Sequence, residues 1–239
     1  MAYDFKSESE VKDYVNNLGI EYRFGCYSEK KPEVCHLLGD FLEAIKKDFD
    51  KAGKLYKNNC DEYRYGKSCY KFATYCLMGK GGQKEDFQSG FKYMSIACEE
   101  GESEGCFNQG LVLITNNESK GVQMDIPKGM DLLRKACEAK NANACYYLSG
   151  MYISGMRNPK DPKKKEFISK PDMQMAYNYA KEGCHLGNIY SCANLSQMYA
   201  KGEGVEKNKE LADKYKKVTR DMQAEMESNK TLTFQEGLK

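Results

Sequence analysis

Residues 132–155, LLRKACEAKNANACYYLSGMYISG, hold one whole structural unit. An apolar segment closes on Ala136 and Cys137, a short polar stretch follows, and Cys145 opens a second segment with Leu148, Met151 and Tyr152. The spacing 145, 148, 152 puts Cys145, Leu148 and Tyr152 along one helical stripe, so two helices flank a turn.

The same frame recurs through the chain. Cys26 and Cys35, Cys60 and Cys69, Cys98 and Cys106, Cys137 and Cys145, and Cys184 and Cys192 form five pairs, each eight or nine residues apart. Three residues after the second cysteine stand Leu38, Phe72, Gln109, Leu148 and Leu195; four after it stand the small residues Gly39, Ala73, Gly110, Ser149 and Ser196. Seven after it come Leu42, Cys76, Leu113, Tyr152 and Tyr199. Eight before the first cysteine lie Ala52, Gly90, Gly129 and Ala176, and Ala212 continues that series. Small residues at fixed register mark places where backbones approach closely.

The intervals between those last small sites are 38, 39, 47 and 36 residues, a period that belongs to stacked helix pairs. The pattern resembles Sel1-like repeats, relatives of the tetratricopeptide repeat, over roughly residues 30 to 222. The stretch CANLSQMYAKGEGV, Cys192 to Val205, carries the resemblance best, and GKGG at Gly79 to Gly82 keeps the same glycine punctuation. The fold expected is all-α, a right-handed α-solenoid of helix pairs bridged at their turns. It divides into an N-terminal capping helix or half repeat at 1–32, five repeats at about 33–64, 65–102, 103–141, 142–188 and 189–222, and a tail at 223–239.

Composition narrows the function classes. A net charge of +2 supplies no general drive toward nucleic acid. No apolar run approaches the ~20 residues that span a bilayer. The start, MAYDFKSESEVKDY, has neither an apolar signal region nor an Arg-rich amphipathic helix, so an unprocessed start is expected.

Eleven cysteines need an explanation. In one straight helix, cysteines eight residues apart would lie about 12 Å from each other, beyond disulfide reach. A chain reversal between them removes that obstacle, and Gly66, Gly101, Gly105 and Gly187 fall in such intervals. Zinc would need four ligands where each pair offers two, with only His36 and His185 to help. Reduced cysteine as a small core residue is the plainer alternative. The favoured reading is an oxidised framework in which each pair closes on itself and Cys76 stays free. Cys76 occupies a site filled elsewhere by Leu42, Leu113, Tyr152 and Tyr199, which predicts a buried inert thiol in preference to a resolving thiol for the Cys60 and Cys69 pair.

Taken in order, Ser7 or Ser9 is expected to cap a first helix that fades near Gly19. Helices follow at about 33–46, 69–78, 86–99, 106–115, 127–139, 172–184, 192–200 and 207–227. Asp48 or Asp50 should cap the helix that ends on Cys60, and Pro127 sits in a first turn. MRNPKDPKKKEFISKPD makes a surface excursion, its Lys163 to Lys165 run read as solvated in preference to docking. TLTFQEGLK should be a loose tail or a strap. His36 and His185 read as solvent-facing residues near helix ends. Of the sequons at Asn117, Asn194 and Asn229, Asn194 lies within an expected helix beside Cys192, which speaks against glycosylation there. No nucleophile with a base, no carboxylate cluster and no phosphate-cradling loop stands out, so no catalytic residue is assigned; GKGGQKE lacks the Ser or Thr of a P-loop.

More specific blocks are FGCYSEKKPEVCHLLGDFLEAIKKDFDKAGKLYKNNC, KSCYKFATYCLMGKGG and CHLGNIYSCANLSQMYAKGEGV. With the half-repeat start, these resemble the mitochondrial Sel1-like family of cytochrome c oxidase assembly factors, nearly full length. The resemblance implies a monomeric protein of the intermembrane space, imported without a presequence and oxidised by the local disulfide relay. Its partners would be proteins of complex IV assembly and the relay machinery. It also raises haem binding and disulfide reductase activity. CFNQGLVLITNN contains no histidine and neither His36 nor His185 matches an axial ligand, so no haem site is assigned and cysteine or methionine ligation stays open. The alternatives kept are a thiol–disulfide oxidoreductase or haem-binding chaperone, and a secreted cysteine-rich Sel1-like protein with hydrolase-like activity.

Overall fold

The structure is a computed structural model that describes residues 3–115, 117–157 and 167–235, with side chains of the last helix described as far as 228. It falls into two compact units. The first holds residues up to Val112 together with 116–123, and the second holds 113–115 and the chain from Met124 onward. Eleven α-helices account for most of the described residues.

In the first unit α1 (Glu8–Tyr27), α2 (Pro32–Ala44), α3 (Phe49–Tyr63), α4 (Gly66–Met78) and α5 (Phe87–Glu99) each pack on the next. α6 (Ser103–Ile114) and a short 3₁₀ turn, Glu118–Lys120, complete it. Their core runs from Cys26 and Leu38 through Tyr56 and Phe72 to Tyr93 and Ala97. In the second unit α7 (Ile126–Glu138) packs on α8 (Ala142–Ser154), α8 on α9 (Met173–His185), α9 on α10 (Ile189–Lys201) and α10 on α11 (Lys209–Gln235). Between α8 and α9 lies a short antiparallel ribbon of β1 (Met156–Arg157) and β2 (Phe167–Ser169), with the Arg157 guanidinium over the Phe167 ring. The stretch between them, including Lys163 to Lys165, is outside the described residues.

One device closes every repeat. The helices that end on a first cysteine begin with Asp48, Asp86, Asp125 or Asp172, whose side-chain oxygens accept from the backbone N–H three residues on; Asn208 does the same for α11. The backbone N–H of each of these caps donates to the carbonyl of Leu42, Cys76, Leu113, Tyr152 or Tyr199, the residue seven after a second cysteine. Four residues after each cap comes the small site, Ala52, Gly90, Gly129, Ala176 or Ala212, all buried. The register that repeats in the sequence is therefore the register of the helix junctions.

The other turns obey a second rule. The one residue that turns into the left-handed region stands three after the first cysteine in the eight-residue pairs, at Gly101, Lys140 and Gly187, and four after it in the nine-residue pairs, at Lys30 and Arg64. Three of these five are long side chains in a conformation that favours glycine. Each turn reverses the chain so that its second cysteine enters the first turn of the following helix, and the paired Cα atoms come to between 4.4 and 4.9 Å. Helices thus begin three residues before the second cysteine, earlier than the apolar pattern alone indicates.

Three expectations are corrected. α1 does not fade at Gly19: a side chain there would meet the Phe41 ring at 2.7 Å, so this glycine is a close-approach point between helices and not a helix end. The tail expected from 223 is helical through Gln235; residues 236–239, and the side chain of Asn229, are outside the described residues. His36 is buried and not solvent-facing, because it follows the bridged Cys35 on the inward face of α2.

Candidate functional site

The turns place ten cysteines as five disulfides within the pairs. Nine of the ten are buried, and Cys184 is half-buried. Cys76 is a free thiol on α4, 3% exposed, and burial, followed by the Asp86 carboxylate, pushes it above the ordinary thiol value. A thiol held protonated and away from solvent is a poor nucleophile. Its place is explained by the junction, since the Cys76 carbonyl anchors the Asp86 N–H at 2.8 Å.

A polar network threads the first unit. Asn59 Nδ2 donates to Ser68 Oγ at 2.8 Å and to the Pro32 carbonyl, and Ser68 Oγ lies 3.1 Å from His36 Nδ1. His36 Nε2 is 3.5 Å from Asp40, whose other oxygen accepts from the Tyr56 hydroxyl at 2.6 Å. Glu43, one turn on, takes Lys71 Nζ at 2.9 Å and Lys80 Nζ at 2.6 Å. Burial would raise the Glu43 carboxyl, but the two lysines outweigh it and hold it at about 2. Burial lowers His36 despite Asp40, so the ring is neutral. The Tyr56 hydroxyl is pushed well up by burial and by Asp40. Lys80 also lies 4.3 Å above the Phe49 ring.

Asp40, Glu43, Lys47, Phe49, Lys71 and Lys80 border a cavity of about 480 Å³. The second unit carries an open groove of about 390 Å³, with small residues Ala193, Ala200 and Ala212 in its floor and Lys216 and Arg220 at its edge. Both hollows are bordered by charged side chains. They supply no nucleophile with an adjacent base.

The two histidines do not fit axial haem ligands. His36 has both ring nitrogens engaged and its ring packed against Tyr56 and Tyr65, and His185 is exposed at the end of α9 beside the bridged Cys184. Among the described residues no three His, Cys, Asp or Glu side chains are grouped to hold a metal ion. Nor, among the described residues, is any helix long and apolar enough to cross a membrane. The network residues Asp40, Glu43, Lys71 and Lys80 were not singled out by sequence reasoning. The one local signal was Asp40 and Glu43 a turn apart after Gly39, and their lysines lie 28 to 40 residues away.

The Sel1 repeat family model matches residues 32–58, 63–102, 107–141, 166–188 and 189–215. The cytochrome c oxidase assembly factor 7 homolog of Drosophila melanogaster is 47% identical over 100% of this chain and 98% of its own length. Cytochrome c oxidase assembly factor 7 of Xenopus tropicalis is 37% identical, covering 98% of each chain. The chain belongs to the cytochrome c oxidase assembly factor 7 family of Sel1 repeat proteins. The human member is 35% identical over 97% of both chains. Among solved structures, a Sel1 repeat protein from Oxalobacter formigenes superposes with a TM-score of 0.64 at 18% identity, covering 78% of this chain and 68% of its own. The protective antigen c5321 of uropathogenic Escherichia coli reaches 0.68 at 19% identity, covering 87% of this chain and 40% of its own. These two likenesses establish the fold alone. The matched Sel1 segments omit α1 and α8.

Proposed function

We propose that this chain supports cytochrome c oxidase assembly in the mitochondrial intermembrane space, as a monomeric scaffold that binds proteins of that assembly on its helical faces. The observation that carries the reading is the full-length similarity to relatives that bear the assembly factor's name. Five turn-bridging disulfides support an oxidising compartment, where a thiol relay would close them on import. The buried, protonated Cys76 supports a binding role over a redox role through that thiol.

The test is complementation. Cells lacking the chain should show reduced assembled complex IV, and both the wild-type chain and Cys76→Ser should restore it. If the Cys76→Ser chain stayed folded but restored nothing, a redox mechanism through that thiol would replace the scaffold. Protease protection in mitochondria with ruptured outer membranes should place the chain between the membranes; protection after rupture would refute the location.

A further inference from the structure

α1 differs from its counterparts at one face. It ends on Cys26 as α3 ends near Cys60, α5 on Cys98, α7 on Cys137 and α9 on Cys184, so positions can be matched by their distance from the cysteine. Six before, two before and one after the cysteine, α3 carries Lys54, Asn58 and Asp61, and α7 carries Asp131, Lys135 and Glu138. α9 carries Asn178, Glu182 and His185, and α5 carries Lys92, Ile96 and Glu99. Ile96 is the one apolar residue in these four triplets, and it is half-buried. In α1 the same three positions are Ile20, Phe24 and Tyr27, exposed by 61%, 59% and 63%.

In α3 and α9, each packed between two helices, this face is polar and mostly exposed. The apolar triplet of α1 therefore departs from the polar composition of this face in the later repeats. Spaced i, i+4 and i+7, it forms a single stripe. At its end Tyr27 walls a cavity of about 310 Å³, together with Lys30, Leu55 and Asn58. Beside the stripe, Arg23 and Lys30 have no ion-pair partner among the described residues, and Glu21 is the one acid among its helical neighbours in α1.

We propose that the Ile20–Phe24–Tyr27 face docks a short amphipathic helix of a partner protein, whose apolar stripe is flanked by acidic residues. The proposal rests on the scaffold reading and gives it a site and a class of partner. Three side chains exposed to this degree offer roughly 300–400 Å² of contact. That is well short of the ~800 Å² per partner of a stable folded dimer, and it matches the three-anchor mode in which a single helix is gripped. A second copy packed through the same stripe would also set Arg23 against its own counterpart. The unpaired Arg23 and Lys30 favour acidic flanks.

The experiment uses the full chain and a labelled helical peptide of about 16 residues, with leucines at i, i+4 and i+7 flanked by glutamates, or by lysines as control. Anisotropy should show the glutamate peptide binding about tenfold more tightly than the lysine peptide. Ile20→Ser, Phe24→Ser and Tyr27→Ser together should weaken it by about tenfold or more, with circular dichroism and melting temperature unchanged. Arg23→Glu, a surface change that leaves the stripe intact, should narrow or invert the preference between peptides. Equal binding of both peptides, or undiminished binding by the triple variant, overturns the proposal. So does flotation of the wild-type chain, but not the triple variant, with phosphatidylcholine vesicles containing phosphatidylserine, which would assign the stripe to a lipid surface. A dimer in sedimentation that the triple variant dissolves would assign it to a second copy. In complementation, a triple variant that restores complex IV fully removes the docking site and leaves the assembly reading standing. If loss of the wild-type chain leaves complex IV untouched, the assembly reading falls whatever the peptide does.

Discussion

Replacing Cys98 and Cys106 together by alanine cuts one brace without placing a new polar group in the core. Both cysteines are buried, at 2% and 1% exposure, and the bridge closes a turn of eight residues' separation. Loop-closure entropy for a ring of that size contributes roughly 2.5 kcal/mol. Losing two buried sulfurs adds about half a kcal/mol or more, so the double variant should lose about 3 kcal/mol. The first unit spans some 120 residues, for which about 3 kcal/mol corresponds to a fall in melting temperature of about 10 °C. Circular dichroism at 222 nm, followed with temperature under non-reducing conditions, reads this directly. The helices should re-form on cooling, since the Asp86 cap and the Gly90 close approach are untouched. A fall of less than about 3 °C would refute the claim that the bridge stiffens its junction.

Glu43→Gln should lower stability at pH 7 by about 2 kcal/mol, a discount on the full shift because the carboxylate keeps some solvent contact. The Glu43 carboxyl is held at about 2 when folded against 4.5 unperturbed, so its contribution is complete above 4.5 and fades as pH falls toward 2; urea melts of both chains should converge there, and parallel curves would contradict the lysine grip. His36 is depressed by burial, so its contribution is present above about 6.5 and lost below it, and the wild-type chain should begin to weaken before the carboxylates titrate. Gly39→Ala would drive a Cβ into the Tyr56 ring, which is fully buried and tied to Asp40. Overpacking there should outweigh the gain in helix propensity and cost about 2 kcal/mol in chemical denaturation; a stabilised variant would show that the ring is free to move. Lys140→Gly relieves a left-handed lysine at φ 68° and should be neutral or stabilising by up to about 1 kcal/mol, and a destabilised variant would point to the Lys140–Glu182 ion pair as the stronger effect.

The helix-pair architecture was legible because the same physical demand recurs at fixed spacing. Ala52, Gly90, Gly129, Ala176 and Ala212 are small for one reason, and five repetitions of that reason make a pattern. The cap residues Asp48, Asp86, Asp125, Asp172 and Asn208 repeat just as faithfully, four before each small site, and of them only Asp48 is expected from the sequence, as an alternative to Asp50. Gly19 misled because a mid-helix glycine that accommodates Phe41 and a glycine that ends a helix look alike in one dimension. The ribbon of β1 and β2 was hidden in a stretch read as a polar excursion, where Met156, Phe167 and Ile168 were the apolar cue. His36 was misplaced because a lone histidine is amphipathic, and its burial depends on Ser68 and Asp40 closing around both nitrogens. The charged network depends on pairings of α2 with α4 and with the loop after α4, and nothing in the local sequence of Lys71 or Lys80 announces Glu43.

The central claim is an oxidised, inert framework of five turn-bridging disulfides with one buried thiol. Its most direct measurement is acid-quenched alkylation of the chain taken from intact mitochondria, followed by peptide mapping without reduction. One alkyl group should be added, at Cys76 and only after denaturation, and linked peptides should join Cys26 to Cys35, Cys60 to Cys69, Cys98 to Cys106, Cys137 to Cys145 and Cys184 to Cys192. Alkylation at any of these ten cysteines in the folded chain, or a link across pairs, would contradict it.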